Sequence, residues 1–420
     1  MRAASEGPPQ THDPYAALRY NDFRLLVTGR FLTTLGGQMV DVAVGWQLYE
    51  QTHSALALGL VGLVEVMPVI LLALYAGHLA DRLDRKRLVL ATRTAMVVCS
   101  LGLAALAYLH GPPAWVYACL LGMGIANAFN GPASSTLLPQ TVPPAIFSNA
   151  ATWSSNTWQL AAALGPALGG GLIALFRWTT WNYLLNAFMG IAFIVLIALM
   201  RGQQTARGTE ENTLESLAAG IRFLRSSQLI LAAITLDMFA VLLGGATTLL
   251  PIYAKDILHV GPVGLGWTRT APSVGAVVTA LILAHRPPLR RAGRTLIGAV
   301  AGFGAATIVF GFSRSFPLSL AMLCLMGAFD NISVVVRSTL LLVRTPDELR
   351  GRVSAINNIF VGTSNELGGF ESGLVAQWLG PVISVVAGGV GTILVVVLTA
   401  LIWPELRRLG ALDEKCDPSI

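Results

Sequence analysis

Nine ionisable residues interrupt stretches that are otherwise apolar, and these are the residues with chemistry to offer. Six are acids, Asp41, Glu65, Asp237, Asp330, Glu366 and Glu371; three are bases, Arg30, Arg269 and Arg337. Two of the acids share one short segment, SNELGGFESG at residues 364–373. If these stretches cross a bilayer, a charge at mid-depth costs at least about 2.5–3.5 kcal/mol on insertion scales. Each group then requires a cavity, an opposite charge or a proton. Burial favours the neutral acid, so an acid facing a cavity can load and release a proton reversibly. The alternative is static pairing: Glu366 or Asp330 with Arg337, or Glu371 with Arg269. A rise of about 1.5 Å per helical residue puts Glu65, Asp237, Asp330 and Glu366 nearest the middle. Asp41, Glu371 and Arg269 fall toward one face, Arg30 and Arg337 toward the other. Glu65, in VGLVEVMPVILL, has no charged neighbour in sequence, and Pro68 follows three residues on. Glu366 and Glu371 are about 140° apart around a helix. Glu366 is therefore expected to face a central cavity or an arginine-bearing neighbour, and Glu371 a different partner nearer one mouth.

The elements that must hold these residues are legible in composition. Of 420 residues, 54% are hydrophobic and only 12% charged, against about 25% charged in soluble domains. The mean hydropathy is +0.65. This is the profile of a chain that crosses the membrane many times. The start, MRAASEGPPQTHDPYAALRYND, is polar and lacks the apolar core of a signal peptide. Cys99, Cys119, Cys324 and Cys416 have no metal or redox spacing, so no metal site and no cofactor is expected. No GxSxG, HExxH or GxxxxGK[ST] pattern occurs, which argues against an enzyme and against an ATP-driven pump.

Apolar runs between polar or Pro/Gly punctuation number twelve, at 22–50, 55–80, 87–109, 113–138, 148–176, 180–200, 229–254, 262–285, 294–312, 316–343, 353–378 and 380–403. One connection is long. The expected organisation is a tail at 1–21, a six-helix bundle at 22–200, a linker at 201–228, a second six-helix bundle at 229–403 and a tail at 404–420. Leu214, Leu217, Ile221 and Leu224 recur at helical spacing in the linker, as in a helix lying at the membrane surface. Of the 28 lysines and arginines, most fall in tails and loops on the side of the N-terminus, Arg93 being counted with them. Only Arg177, Lys255 and Arg314 fall on the other side. Positive charge marks the cytoplasmic side, so both termini are expected there. The basic excess is topological, and nucleic acid is not an expected partner.

The chain also resembles itself. A shift of 203 residues lays VPPAIFSNAATWSSNTWQLAAALGPALGG on TPDELRGRVSAINNIFVGTSNELGGFESG without a gap, pairing Gly165 with Gly368 and Gly170 with Gly373. SNELGGFESG thus occupies the slot of GPALGG (Gly165, Pro166, Gly169, Gly170), and its glutamates are peculiar to the second half.

The loop after the second run reads GHLADRLDRKRLVL at residues 77–90. Gly77 would permit close helix approach, Asp81 follows one turn later, and Arg82, Arg85, Lys86 and Arg87 form a basic cluster. This loop resembles the signature of the major facilitator superfamily, G-x-L-A-D-R-x-x-R-K/R, with Asp84 where a glycine is usual. GPALGG resembles the G-P-x-x-G-G element of exporters in that superfamily, enriched in proton-driven antiporters; the upstream glycine of its longer form is Ala161 here. Closer still, NDFRLLVTGRFLTTLGGQMVDVAVGWQLYEQTHSALALGLVGL and LRGRVSAINNIFVGTSNELGGFESG resemble the enterobactin-exporter-like, transmembrane secretion effector branch. The resemblance implies an all-α membrane protein of twelve transmembrane helices in two pseudo-symmetric six-helix bundles, working by alternating access. It implies a secondary transporter, a proton-coupled exporter of a small amphiphilic compound of siderophore or drug type, in the bacterial inner membrane. An uptake permease of the same fold or a non-transporting sensor are the alternatives. Expected partners are the small-molecule substrate, protons and lipid, with the chain acting as a monomer. In the superfamily the signature aspartate docks at the start of the eleventh helix, here near Gly351, Arg352 and Val353. Asp81→Ala is accordingly expected to reach the membrane at wild-type levels yet lose transport, read by membrane immunoblot beside a flux assay; wild-type flux would refute the latch.

Overall fold

The computed structural model describes residues 13–135, 137–200, 221–287 and 291–410, without the side chains of Leu74, His78, Ala80, Asp81, Arg82, Ser135, Asp347, Glu348 and Ala355. Twelve long helices carry the described chain. The first six are α1 (Asn21–Thr52), α2 (Ala55–Arg82), α3 (Arg85–Tyr108), α4 (Pro113–Ser135), α5 (Phe147–Phe176) and α6 (Thr180–Leu199). The second six are α7 (Gln228–Leu243), α8 (Gly261–Ala284), α9 (Ala292–Phe312), α10 (Phe316–Arg344), α11 (Asp347–Leu379) and α12 (Pro381–Ile402). No strand occurs among the described residues. Nine helical spans are long and apolar enough to cross a membrane. The long helices outside that set are α1, α4 and α11, which carry Asp41, Asn127 with Asn130, and Glu366 with Glu371. Polar residues lower the apolarity of these three helices most, although ionisable residues also occur at depth on α2, α3, α7, α8 and α10.

Local chemistry explains several boundaries. Ser54 caps α2 by accepting from the Ala57 N–H at 3.3 Å. Asp84 caps α3, its Oδ1 accepting from the Lys86 and Arg87 N–H groups at 2.9 and 3.2 Å. The residue that departs from the usual glycine therefore satisfies two of the N–H groups that a helix start leaves without partners. Lys86 Nζ donates to the Ala198 and Met200 carbonyls at 3.0 and 2.7 Å, closing the end of α6. The basic loop is a structural clamp as well as a topological marker.

The seventh span differs from the continuous run expected at 229–254. Its helix stops at Leu243, passes through Gly244 and Gly245, and resumes as a 3-10 turn (Ala246–Leu249) and a wide π turn (Tyr253–Ile257). The break lies where α11 presses closest. A Cβ on Gly245 would stand 2.5 Å from the Gly368 carbonyl oxygen, and one on Gly368 would stand 2.6 Å from that of Leu242.

Helices α1–α6 pack on one another, as do α7–α12, and the two groups meet chiefly along α5 with α8 and α2 with α11. Both crossings depend on the paired glycines. A Cβ on Gly170 would stand 2.9 Å from Gly266 Cα, and one on Gly373 would stand 2.7 Å from Gly59 Cα. Backbone meets backbone, so no side chain can yield. Gly165 and Gly169 instead seat α5 on α1, against Leu35, Gln38 and Met39, and the Pro166 carbonyl faces Gly266. Gly77 behaves otherwise than expected: a Cβ there would meet no described atom within 4 Å. The same holds at exposed Gly351.

Within each half successive helices run in alternate directions across short connections, and the start of α2 meets the end of α11, so the start of α1 and the end of α12 share one end of the molecule, the termini end. At the far end, Ser54 Oγ donates to Gln377 Oε1 at 2.9 Å, tying the start of α2 to the end of α11. Forcing a side chain into this crossing should cost about 1–3 kcal/mol in overpacking. With the native cysteines replaced, a Ser54→Cys/Gln377→Cys pair is expected to cross-link readily, and Gly373→Leu to suppress the link; unchanged cross-linking would show that the glycines do not set the crossing.

Candidate functional site

Four helices deliver ionisable groups to one place where the halves meet. The first half contributes Asp41 from α1 and Glu65 from α2; the second contributes Arg269 from α8 and Glu366 from α11. Glycines bring them together. On α2, Gly62 sits one turn before Glu65, and a Cβ there would lie 2.5 Å from Glu366 Oε2. On α1, Gly45 sits one turn beyond Asp41, and a Cβ there would lie 3.8 Å from Arg269 Nη2. Arg269 is in electrostatic reach of Asp41, Glu65 and Glu366. Its Nε is buried without a hydrogen-bond partner. None of the three acids closes a direct ion pair with it among the described residues, so the cluster is loose.

The charges do not balance. Fully ionised, three acids and one guanidinium leave two negative charges in excess, in a region where uncompensated charge is expensive. The cluster must hold protons or draw in a cation. It has room to do so: Asp41 and Glu65 line a cavity of about 210 Å³ inside the first half.

The second half treats its charges differently. Arg337 Nη1 of α10 pairs directly with Asp237 Oδ2 of α7, both side chains being buried. Ser333 Oγ donates to the other oxygen of Asp237 at 3.3 Å. This closed pair ties the first and fourth helices of its half. The 203-residue shift brings Arg337 onto Ser134, and Ser134 is also a tie point. There Arg30 of α1 donates through Nη2 to the Ser134 carbonyl at 2.5 Å and to Ser154 Oγ through Nη1 at 3.4 Å. Asp330, the counterpart of Asn127, has no hydrogen-bond or ion-pair partner among the described residues. It lines a cavity of about 200 Å³ with Asp237, Arg337 and Asn365.

Several expectations are corrected. Arg337 is paired with Asp237, and neither Glu366 nor Asp330 takes that place. Glu371 is half-buried and forms no ion pair with Arg269 among the described residues. Glu65, isolated in sequence, faces Asp41, Glu366 and Arg269. Asp41 and Arg269, expected toward one face, belong to the same cluster as Glu65 and Glu366, because residue counting ignores tilt and stagger between helices. Glu366 does face an arginine-bearing neighbour. Arg93, counted with the loop at the termini end, lies two turns inside α3 with its guanidinium 5.1 Å over the Phe193 ring. A basic residue inside an apolar run was the available signal. The Asp81 and Arg82 side chains lie outside the described residues, as do Leu214 and Leu217 of the linker. Of the neighbouring motif, Arg87 Nε approaches Asp84 at 3.7 Å and Arg352 is half-buried.

A further link at the far end gave no sequence signal. Tyr49 of α1 donates to Asp256 in the π turn. Lys255 beside it lies 3.8 Å from Glu50 and over the rings of Trp46 and Tyr49, at 5.8 and 5.9 Å. With the glycine crossings, these contacts join the halves at the end away from the chain termini.

Comparison with known proteins gives the same picture. The model of the transmembrane secretion effector family matches residues 12–418. The enterobactin exporter EntS of Citrobacter koseri is 28% identical over 392 residues, covering 92% of each chain, and that of Shigella boydii is 27% identical over the same share. Among solved structures, a bacterial homolog to the human lysosomal transporter Spinster, inward-facing and occupied, superposes with a TM-score of 0.69 at 13% identity, over 97% of this chain and all of that one. A POT family transporter in complex with 5-aminolevulinic acid gives 0.72 at 12% identity, over 92% and 97% of the two chains. These structures share the fold. From the family match over almost its whole length, this chain belongs to the transmembrane secretion effectors, a family of major facilitator transporters.

Proposed function

We propose that the chain is a proton-coupled exporter that moves a small amphiphilic organic compound, siderophore-like or drug-like, by alternating access. The reading places it in the bacterial inner membrane with both termini cytoplasmic. The observation that carries it is the loose cluster of Asp41, Glu65, Arg269 and Glu366, in which each half supplies charges to the other. When the acids are ionised, Arg269 draws the halves together at this level. A proton taken up by Glu366, Glu65 or Asp41 weakens that attraction. Protonation and the relative position of the halves are then linked, as coupling requires. The closed pair Asp237–Arg337 lacks this freedom and serves as a structural tie. On this reading the far end faces outside and its contacts close that mouth, and Asp81 latching near Gly351 and Arg352 would hold the opposite state.

The curated relatives are named as enterobactin exporters, so enterobactin is the first compound to test. In proteoliposomes carrying a pH gradient and an entrapped pH dye, enterobactin should evoke proton movement. Glu366→Gln should lower that movement roughly tenfold or more, the equivalent of about 1.4 kcal/mol, while Glu371→Gln stays near wild type. If both variants behave alike, the cluster is not the coupling site.

A further inference from the structure

The cavity of the first half has a second end, which the coupling cluster does not use. It runs from Asp41 and Glu65 past Gly37, Ser100 and Asn127 to Arg93. Arg93 is unusual in having so little to hold it. Its Nε is buried and donates to nothing, and Nη1 reaches only the Met96 Sδ at 3.5 Å. One face of the guanidinium rests on Phe193. The nearest charge is another cation, Arg30. The donors of Arg30 are taken by Ser134 and Ser154, which are neutral. Helices α4 and α6 carry no acid, and α3 has none within its range. On α1 and α2, Asp41 and Glu65 stand at the opposite end of the cavity and are not among the groups acting on Arg93. Among the described residues, two guanidinium groups that act on each other thus lie within membrane-spanning helices with no carboxylate on either. A buried cation without a counter-charge is costly, and here it opens onto a space of about 210 Å³.

We propose that this cavity binds the anionic head of the transported compound, with Arg93 as the direct donor and Arg30 as the supporting charge. The ligand class is an organic anion whose carboxylate or phenolate sits on a small aromatic or short aliphatic head. The free Nε beside the terminal nitrogens suits the two-point recognition that guanidinium gives to planar oxyanions. The side chains of Met96, Val97 and Met123 supply the apolar wall, while Phe193 backs the Arg93 guanidinium. Serine and asparagine groups at Ser100, Asn127 and Asn186 can meet further polar atoms. The cavity is too small for a large molecule entire, so the remainder of the compound extends toward the space between the halves. Acid at one end and guanidinium at the other allow one cavity to serve proton and substrate together.

This inference rests on the exporter reading, but its test needs no transport. Purified full-length protein in detergent is titrated with benzoate, benzyl alcohol, benzylamine and chloride, and binding is followed by ligand-observed NMR. Benzoate is expected to bind and the neutral and cationic analogues not to. Arg93→Gln should weaken benzoate roughly ten- to hundredfold, the usual worth of a hydrogen bond to a charged group. Arg93→Lys should retain part of the binding, since it keeps the charge without the fork. Gly37→Leu leaves both arginines in place; no described atom lies within 4 Å of a Cβ there, so leucine should fill the cavity and exclude benzoate while the protein stays monodisperse. Glu371→Gln, which lies outside both the cluster and the cavity lining, should bind benzoate normally and serves as the folded control. Because binding is read without transport, a failure of coupling does not count as a failure of binding. Equal binding of benzoate to wild type and Arg93→Gln would overturn the proposal. So would chloride occupancy that benzoate cannot displace, which would make this a halide site.

Discussion

The cost of charge in a low-dielectric interior is the constraint that organises this molecule. Five of its long helices, α4, α5, α6, α9 and α12, avoid the cost by carrying no ionisable residue at depth. The remainder meet it in three ways: a closed ion pair, donation to neutral groups, and a loose cluster. Asp237 with Arg337 is the first, Arg30 with Ser134 and Ser154 the second, and the group around Arg269 the third. Of these three only the loose cluster lies between the halves; within single halves, Arg93 and Asp330 also open onto cavities with no opposite charge bound to them among the described residues. Geometry thus separates charges closed within one half, such as Asp237 with Arg337, from charges left open.

The glycines make that arrangement possible. Helices that meet backbone to backbone bring side chains one turn away into reach of each other, so Gly62 sets the approach of Glu65 to Glu366, and Gly45 leaves room for Arg269. A larger residue at either place would separate the charges by the width of its own side chain. The glycines at the two crossings are equivalent by sequence repeat but not in register. Gly170 faces Pro262 and Gly266, whereas Gly373 faces Ala55 and Gly59, one turn earlier by the 203-residue correspondence. The halves are related by an approximate two-fold that the second crossing does not obey to the residue, and the charged cluster around Arg269 gathers where α1, α2, α8 and α11 meet.

Much of the fold was legible because lipid imposes a length on apolar runs. The expected runs and the observed helices agree to within a few residues at most ends. The seventh fails because hydropathy does not register a break between two glycines: Gly244 and Gly245 are as apolar as their surroundings, and only the pressure of α11 shows why the helix stops. The identities of the buried ionisable residues were equally plain, since a charge in an apolar run is conspicuous. Their partners were not. Pairings such as Asp237–Arg337 and Glu65 with Glu366 join residues about one hundred and three hundred positions apart, and nothing local in the chain encodes them. Arg93 was missed for the opposite reason. Its neighbours Arg85, Lys86 and Arg87 make it look like one more loop cation, and only the starting point of α3 shows how deep it lies.

The segment ahead of α1 has a bearing on how the protein is handled. Pro14 presents its carbonyl to Asn149 Nδ2 and Trp153 Nε1, each at 2.9 Å, and the Ala17 N–H returns to Asn149 Oδ1 at 3.0 Å. Ala17 is fully buried, and Tyr15 lies 6.0 Å from the Trp153 ring. These residues are a strap fastened to the first turns of α5, the helix that forms one of the two crossings. Any fluorescent domain, affinity handle or surface tether joined immediately upstream would pull on α5 through that strap. The other end is fastened as well, since the Ala292 and Gly293 N–H groups donate to the Gly410 and Leu409 carbonyls at 3.1 and 3.3 Å, so a label at either end calls for a spacer.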